Sequence, residues 1–436
     1  MRIASAREVG FAPVAPEERV QSLDVLRGLA LFGILIVNIL VYAPKPSSAA
    51  DWVTAKVISI AAEGSFYPLF SLLFGVGFAV FLDRAASRGA NGVVLYVRRV
   101  IALLAIAVLQ FILLDEQNIL VRYAFLALPL LLFWRASARV CFAAALICIA
   151  LAVARSPVNQ AVVQREMRDP VVAAHARQQR AEDQTRVWAR RAEGQRVKAT
   201  HSFLEAAAFR IRWQLPNQLA WSANFRRNPT LFHILAMFLL GAAAWRSRIF
   251  VEPQKYRPLM IHLFGWGLVV GLAGNLALNI GPRRDSLSFF ASRPIITIVV
   301  TLVADTALTL SYASAVMLLW SSGENVWRRR LAPLAWIGRM GLTNYLCQSV
   351  AMSLLFLPYG FGLAGKLPFW AYPLIGVPIF LSHIPISAWW LARHLFGPVE
   401  WLWRTATYAR VQPMGLPRRS LELTDDEHLP DSRSTA

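Results

Sequence analysis

The sequence has little charge and little cysteine. Charged residues make up 16% of its 436 residues and hydrophobic residues 56%, whereas soluble domains carry about 25% charged residues. This balance excludes a water-soluble domain, because too few polar side chains remain to cover a hydrated surface. The three cysteines, Cys141, Cys148 and Cys347, all lie within apolar runs. That placement excludes a disulfide framework and a zinc site, and it predicts that all three are core residues.

Apolar residues are concentrated in long runs. Most of these runs have about 17 to 25 residues, the length at which a helix crosses the hydrocarbon of a bilayer. The sequence therefore predicts an all-α, polytopic integral membrane bundle of about ten transmembrane helices. The predicted spans are 23–43, 65–82, 100–114, 118–134, 138–154, 229–245, 259–280, 294–320, 334–357 and 369–391.

The positions of the basic residues explain the net charge of +20. With the N-terminus inside, the cytoplasmic joints and the stretch 393–419 hold nineteen Lys and Arg residues, and the short outer joints hold six. This excess follows the positive-inside rule and predicts that both termini are cytoplasmic. Since no basic stripe interleaved with aromatic residues lies on a polar domain, nucleic acid is not expected as a partner.

Composition divides the chain into five parts. A cytoplasmic N-terminal segment, 1–22, precedes a first five-helix membrane half, 23–154, and a second five-helix half covers 229–410. The intervening stretch 155–228 is rich in Arg, Ala, Gln and Glu, which predicts an extracytoplasmic helical insertion or, alternatively, a partly disordered, solvated loop. Residues 411–436 are predicted to form a disordered cytoplasmic tail.

Polar side chains inside or beside apolar runs are the candidate functional groups, because burying them in a bilayer is costly. Asp24 and Arg27 either form a mutual salt bridge or leave the Arg27 guanidinium to a phosphate or carboxylate. Glu63, on the outer side, is either a base or acid or a solvated charge at a helix start. Asp305 and His233 lie deeper, and belong either to a proton relay or catalytic pair or to the hydrogen-bonded interior.

The ninth run carries a dense polar face. Asn344 and Gln348 are four residues apart, Tyr345 lies between them, and Arg339 precedes them at the inner end. This face is explained equally by interhelical hydrogen bonding and by a substrate-lined path. Asn38, in the first run, has the same two explanations.

Closely spaced glycines occur in two further runs. Gly267 and Gly271 lie four residues apart, and Gly75 and Gly77 lie two apart. Small residues at such spacing allow helices to approach closely. Neither pair resembles a dinucleotide-binding loop, because the strand and phosphate context is absent. Both pairs are therefore predicted to mark helix contacts.

Four stretches together resemble a known family. They read SLDVLRGLALFGIL at 22–35 with Asn38 following, FYPLFSLLFGVGF at 66–78, GRMGLTNYLCQS at 338–349 and GPVEWLWR at 397–404. This combination resembles the YeiB-like family of bacterial inner-membrane proteins, also described as domain of unknown function 418. The likeness covers nearly the whole chain and implies a multi-pass protein of the bacterial inner (cytoplasmic) membrane. Members of the family have sometimes been labelled transporters.

The opening segment is also similar, more distantly, to the membrane acyltransferase superfamily of heparan-α-glucosaminide acetyltransferases and bacterial O-acyltransferases. That resemblance implies acyl-CoA as a cytoplasmic donor substrate and a sugar, lipid or small molecule as the extracytoplasmic acceptor. In the bacterial O-acyltransferases ten residues separate an Arg from a following His, and in this chain ten residues separate Arg27 from Asn38. The heparan-type enzymes place a catalytic His just before the second span, and the stretch 43–65 contains none.

The acyltransferase resemblance assigns roles to five residues. Glu63 or His233 is expected to act as the base, and Asn38 to supply a hydrogen bond to the reacting group. Arg27 and Arg339 are expected to hold the phosphates of the donor at the cytoplasmic side. No metal or prosthetic group is expected.

Two other classes of function remain open. A transporter or exporter of a small polar or amphipathic solute would use Asp305, Asn344, Tyr345 and Gln348 to line an alternating-access path. A noncatalytic membrane component would bind lipid or a partner protein. The expected partners are thus membrane lipid and a small-molecule, sugar or lipid acceptor, and the oligomeric state is open.

Overall fold

The computed structural model describes residues 20–415 except 90, 115–118, 167–169, 226–227, 229 and 281–294. The predicted N-terminal segment and C-terminal tail therefore lie mostly outside the described residues. Within the described part the elements are helices: α1 Gln21–Asn38, α2 Ala49–Ala61, α3 Phe66–Ser87, α4 Gly92–Leu113, α5 Ile119–Leu130, α6 Ala138–Glu166, α7 Pro170–Thr200, α8 Phe203–Phe209, α9 Leu215–Ala223, α10 Thr230–Arg246, α11 Arg257–Ile280, α12 Ile295–Ser321, α13 Asn325–Arg339, α14 Gly341–Phe356, α15 Ala371–Leu391 and α16 Pro398–Tyr408.

Each predicted apolar run contains helix, which confirms the all-α membrane fold. In the described part of the chain, six helices are long and apolar enough to cross a bilayer, by length and composition: Gln21–Tyr42, Ala49–Ser87, Gly92–Leu113, Arg257–Asn279, Ile295–Ser321 and Ala371–Leu391. Shorter apolar helices occupy three other runs, at Ile119–Phe133, Ala138–Ala154 and Thr230–Arg246. The number of spans and the side on which the termini lie stay predictions.

The ninth run is divided, although the sequence predicts one span over 334–357. Helix α13 ends at Arg339, Met340 is a turn, and α14 begins at Gly341. A break of this kind leaves backbone N–H groups at the start of α14 without helical partners. Glu400 accepts hydrogen bonds from two of these groups, which makes the break tolerable.

Glycines allow a close crossing in the bundle, between α3 and α10. A Cβ atom on Gly75 would lie 1.8 Å from the backbone oxygen of Phe238, and one on Gly241 would lie 1.9 Å from that of Leu72. The two backbones thus touch where each helix lacks a side chain. Gly77 has nothing within 4 Å of such an atom, so the predicted helix contact is confirmed for Gly75 and wrong for Gly77.

Two more crossings follow the same rule. On α1 and α13, a Cβ atom on Gly28 would lie 2.1 Å from the oxygen of Leu334, and one on Gly338 would lie 1.8 Å from that of Asp24. Cβ atoms on Gly267 and Gly271 of α11 would lie 2.6 and 2.7 Å from atoms of α12, a close contact that their spacing predicts. Helices of the two predicted halves are therefore packed against each other, α1 on α13 and α3 on α10.

The stretch after α7 docks on the end of α4. Arg210, in the π-helical turn after α8, donates hydrogen bonds to the carbonyl oxygen of Ile112 (3.0 Å) and the hydroxyl of Tyr359 (3.2 Å). A cation at a helix C-terminus interacts favourably with the helix dipole. The rings of Phe203 and Tyr359 pack edge to face, 5.3 Å apart. Part of the predicted insertion is thus ordered helix held against the bundle.

The cysteines differ in burial. Cys141 and Cys148 are buried, as predicted, and Cys347 is exposed on α14. The prediction of a core position is therefore wrong for Cys347, because a residue in an apolar run can face outward from the bundle toward lipid.

Candidate functional site

A short turn, 62–65, joins α2 to α3 and is fastened to α12 by side chains. The hydroxyl of Tyr312 donates to the carbonyl oxygen of Ala61 at 2.6 Å, and Thr309 donates to that of Ser65 at 2.8 Å. The rings of Phe66 and Tyr312 stack 5.5 Å apart. These contacts satisfy backbone oxygens that would otherwise be costly to bury in a membrane protein.

The same turn brings the backbone of Gly64 against Asp305. Gly64 has a φ of +89°, and a Cβ atom there would lie 2.5 Å from Oδ1 of Asp305. Glycine is therefore required, both for the backbone conformation and for the close approach of the carboxylate. Asp305 is buried, and Glu63, one residue before Gly64, is half-buried.

His233 lies beside this group. Its Nε2 atom is 3.1 Å from the hydroxyl of Thr306, the residue after Asp305, and the ring is buried. The structure thus brings the Gly64 turn against Asp305 and His233 against Thr306, so that both contacts lie on one segment of α12.

Asn38 forms a second buried group with residues of α3 and α5. The Tyr67 hydroxyl donates a short hydrogen bond to Oδ1 of Asn38. The Tyr123 hydroxyl lies 2.7 Å from the hydroxyl of Ser71 and donates to the carbonyl oxygen of Tyr67 at 3.1 Å. Beside these rings, Arg122 of α5 interacts electrostatically with Tyr67, Tyr123 and Tyr345.

Sequence reasoning did not find Arg122, Tyr67 or Tyr123. A usable signal was present for Arg122, since it is the only charged residue in the run 118–134, and an ionisable residue at membrane depth is a functional hypothesis by default. Tyr67 lies in the segment that carries the family resemblance. Nothing in the sequence pairs these residues with each other, because they come from different helices.

The polar face of α14 divides into satisfied and unsatisfied groups. The Asn344 amide donates 3.0 Å hydrogen bonds to the carbonyl oxygen of Ile337 and the hydroxyl of Ser387. Tyr345 is buried next to it. One turn further on, Gln348 is buried, and its Nε2 atom has no hydrogen-bond partner among the described residues. Asn344 thus links helices, while Gln348 has donors to spare.

Arg27 and Arg339 lie at the end of the bundle that is predicted to be cytoplasmic. Arg27 pairs with Asp24 at 2.6 Å, and its side chain remains 33% exposed. Because Gly338 packs against the backbone of Asp24, Arg339 lies at the same end of the bundle. The salt bridge exists, and part of the Arg27 side chain is still accessible.

Glu400 of α16 caps the start of α14. Its Oε1 atom accepts from the N–H groups of Leu342 (2.6 Å) and Thr343 (3.1 Å), and its Oε2 accepts from the Thr343 hydroxyl (2.5 Å). Burial raises the pKa of Glu400, and the hydrogen bonds from Thr343 and Leu342 partly oppose that rise. Glu400 belongs to the GPVEWLWR segment, whose role here is thus structural.

The same segment fixes α16 to α4. The Arg99 guanidinium lies 3.7 Å from the ring centre of Trp403, and the Trp403 indole donates to the carbonyl oxygen of Arg99 at 2.8 Å. Such a cation–π contact adds to the hydrogen bond. The C-terminal helix is therefore held at both of its neighbours, α4 and α14.

Two cavities lie near these groups. One, of about 320 Å³, is apolar and lies between α1, α2 and α15, with Ala62 and Phe66 of the turn in its wall. The other, of about 420 Å³, lies at the predicted cytoplasmic end, beside Ser22. Its wall is partly polar, and includes Gln254 and Arg328.

Comparison with known proteins places the chain in a family. Residues 244–410 match the family described as Protein of unknown function (DUF418). The chain is 30% identical to Uncharacterized protein YxaH of Bacillus subtilis (strain 168), over 92% of this chain and 97% of that protein. It is 25% identical to Uncharacterized protein YeiB of Escherichia coli (strain K12), over 91% and 98% of the two. No solved structure matches. The chain belongs to the DUF418 family of YeiB-like membrane proteins.

Proposed function

We propose that this protein is an acyltransferase of the bacterial inner membrane. It moves an acyl group from cytoplasmic acyl-CoA to a hydroxyl or amine of a sugar, lipid or small acceptor on the outer side, with both termini in the cytoplasm. The observation that carries the proposal is the hydrogen bond from Tyr67, near the start of α3, to Asn38 of α1. Glu63, the candidate base, lies in the turn that leads into the same helix.

The reaction uses Glu63 and Asn38 in separate roles. The Glu63 carboxylate takes the proton of an acceptor hydroxyl, whose oxygen bonds to the carbonyl carbon of the thioester. The Asn38 amide, whose oxygen is engaged by Tyr67, donates from Nδ2 to the developing oxyanion. The carbon–sulfur bond then breaks, and the CoA thiolate receives the proton from Glu63. His233 is the other candidate base and is held by Thr306.

The donor binds at the opposite end of the bundle. Arg27 and Arg339 are both assigned to that end, since Gly338 packs against the backbone of Asp24, and the partly polar cavity beside Ser22 has about 420 Å³ for part of a nucleotide. Arginine suits this task, because its planar guanidinium matches phosphate oxygens. The thioester reaches the outer side within the bundle.

Donor binding can be tested by thermal unfolding of the full chain in nanodiscs with CoA, acetyl-CoA and longer acyl-CoAs. A ligand at one hundred times its dissociation constant stabilises the folded protein by about 2.7 kcal/mol. We expect the shift to disappear in Arg27→Ala and to persist in Arg135→Ala, since Arg135 is an exposed arginine at the same predicted end. The absence of a shift with every donor up to millimolar concentration would refute the donor site.

Catalysis is tested separately. Glu63→Gln is expected to retain the donor-induced shift and to lose transfer of labelled acetyl groups to acceptors in a membrane extract. If Glu63→Gln transfers at the wild-type rate and His233→Gln does not, the base is His233. If both transfer normally, the proposed chemistry is wrong.

A solute transporter is the second candidate, and Asp305 favours it. This carboxylate is buried against the Gly64 turn, and carboxylates at membrane depth commonly carry coupling protons. In that case Asn344, Tyr345 and Gln348 line the path. Proteoliposomes with an imposed proton gradient would then show solute flux that Asp305→Asn uncouples, and no acyl transfer.

A further inference from the structure

Three buried polar atoms of α4, α5 and α14 have no hydrogen-bond partner among the described residues. They are Nε of Arg122, Nε2 of Gln348 and Oε1 of Gln110. Gln110 is tied to α14, because its Nε2 atom donates to the hydroxyl of Ser349 at 2.9 Å. Buried polar groups in folded proteins are nearly always paired, so a cluster of unpaired ones needs an explanation.

Arg122 has neutral surroundings. Its electrostatic neighbours are the hydroxyls of Tyr67, Tyr123 and Tyr345. The ion pairs of the described residues, which include Asp24 with Arg27, do not involve Arg122. A cation inside a membrane bundle without a counter-charge is costly, and natural proteins keep one chiefly where it binds something.

The tyrosines around Arg122 are held in place by other contacts. The Tyr67 hydroxyl is engaged with Asn38, and Tyr123 is bound to Ser71 and packed edge to face against Phe238. Two of the three tyrosines near Arg122 are therefore fixed by their own contacts. Rigid, prearranged donors favour ligand binding, because little side-chain entropy is lost when the ligand arrives.

Unpaired donors outnumber unpaired acceptors in this group. The guanidinium of Arg122 and the amide of Gln348 both donate, and Gln348 lies one turn after Tyr345, so it is on the same side of α14 as a residue that meets Arg122. Donors around a positive charge are suited to carboxylate and phosphate oxygens. Among the described residues of this group, one acceptor is unpaired, Oε1 of Gln110.

We propose that Arg122, assisted by Gln348, binds an anionic group, a carboxylate or a phosphate, between α4, α5 and α14. The inference extends the proposed function, because under acyl transfer this group belongs to the acceptor; the anion site itself rests on the contacts of Arg122 and Gln348. The anion comes either from a small soluble molecule or from an anionic phospholipid.

Thermal unfolding of the full chain distinguishes these sources. The protein is reconstituted in phosphatidylcholine nanodiscs and titrated with inorganic phosphate or acetate, with sodium chloride at equal ionic strength as the reference. A parallel sample contains phosphatidylglycerol in the nanodisc. An unfolding temperature that rises with phosphate or acetate indicates a soluble anion. One that rises with phosphatidylglycerol alone indicates a lipid.

Variants assign the effect to Arg122. We expect Arg122→Gln to weaken the apparent affinity for the effective anion at least about ten-fold, since a hydrogen bond to a charged group is lost. Arg98→Gln, which removes an exposed arginine of α4, should bind as the wild type does. Equal shifts in the wild type and Arg122→Gln, or no shift with any of the three anions, would overturn the inference.

The protein without added anion gives a second readout. If Arg122 is kept for binding, Arg122→Met should unfold at the same temperature as the wild type or higher, because an unpaired buried charge has been removed. A lower unfolding temperature, together with unchanged anion binding, assigns Arg122 a structural role. If CoA raises the unfolding temperature through Arg27 and no anion raises it, only the inference about Arg122 is refuted. If an anion raises the unfolding temperature through Arg122 and CoA does not, only the donor site is refuted.

Discussion

The two parts of helix α14 differ in how their polar groups are satisfied. At its start, Glu400 accepts three hydrogen bonds from Leu342 and Thr343, and Asn344 is bonded to α13 and α15. One turn after Asn344, Gln348 has an amide nitrogen without a partner among the described residues and lies on the side of Tyr345, an electrostatic neighbour of Arg122. Both parts are buried, so burial alone does not distinguish structural polar groups from functional ones. The presence or absence of hydrogen-bond partners does distinguish them.

The difference indicates which polar residues can be replaced. A fully paired group, such as Glu400, contributes to stability through its partners, and its loss leaves those partners unsatisfied. An unpaired group contributes little or even costs stability, and its retention is explained by a ligand. Four experiments on unfolding in detergent or nanodiscs test this contrast.

The largest effect on stability is expected at the crossing of α3 and α10. Gly75→Ala places a methyl group 1.8 Å from the backbone oxygen of Phe238, so α3 and α10 must separate. We expect a loss of about 3 kcal/mol or more in the free energy of unfolding. Gly77→Ala, two residues away in open space, is the matched control and should be neutral or slightly stabilising. If Gly75→Ala and Gly77→Ala change the free energy of unfolding by similar amounts, the close contact at Gly75 is wrong.

Glu400→Ala should have the next largest effect. It removes the acceptor of three hydrogen bonds and leaves the N–H groups of Leu342 and Thr343 without a partner. The expected loss is about 2 to 3 kcal/mol. Glu252→Ala is the control, because Glu252 makes only exposed ion pairs with Arg248 and Lys255, each worth about 1 kcal/mol or less. If Glu400→Ala lowers the free energy of unfolding no more than Glu252→Ala does, the Glu400 cap does not stabilise the fold.

The pH dependence of stability provides a smaller effect of defined sign. Burial raises the pKa of Glu400 in the folded state, so folding favours its protonated form. The stability from this group is fully present below its unfolded pKa, about 4.3, and is lost as pH rises through the folded pKa. Glu400→Gln should abolish that decline. A wild type that instead gains stability relative to Glu400→Gln over this window would reverse the assignment.

The smallest effect is expected at Gln348. Gln348→Leu keeps the size of the side chain and removes an unpaired amide, so the unfolding free energy should change by less than about 0.5 kcal/mol or rise. Asn344→Leu, one turn earlier, is the contrast, and should cost about 1 to 3 kcal/mol because Ile337 and Ser387 lose their partner. Equal losses at the two positions would break the distinction between the parts of α14.

Much of the fold follows from local sequence. Apolar runs of sufficient length predict helices because a bilayer leaves the backbone no other way to satisfy its hydrogen bonds, and each predicted run contains helix. The break at Met340 did not follow, since the run 334–357 is continuous in hydropathy. It depends on Glu400, a residue some 60 positions later whose carboxylate replaces the lost helical partners.

The candidate site divides in the same way. Glu63, Asp305 and His233 could be selected from the sequence because charge at membrane depth is rare. Their neighbourhood could not, because it is created by Thr306, Thr309 and the conformation of Gly64.

The sequence by itself determined that this is a helical membrane protein of the YeiB-like family, and it supplied the polar residues that are candidates for a functional site. Composition and run length act locally, through the cost of exposing backbone to lipid, and need no knowledge of neighbours. The tertiary structure decided which polar groups are paired, because pairing depends on helices distant in the chain. Glu400 is therefore part of the architecture, whereas Arg122, near Tyr67, Tyr123 and Tyr345, has no ion pair among the described residues.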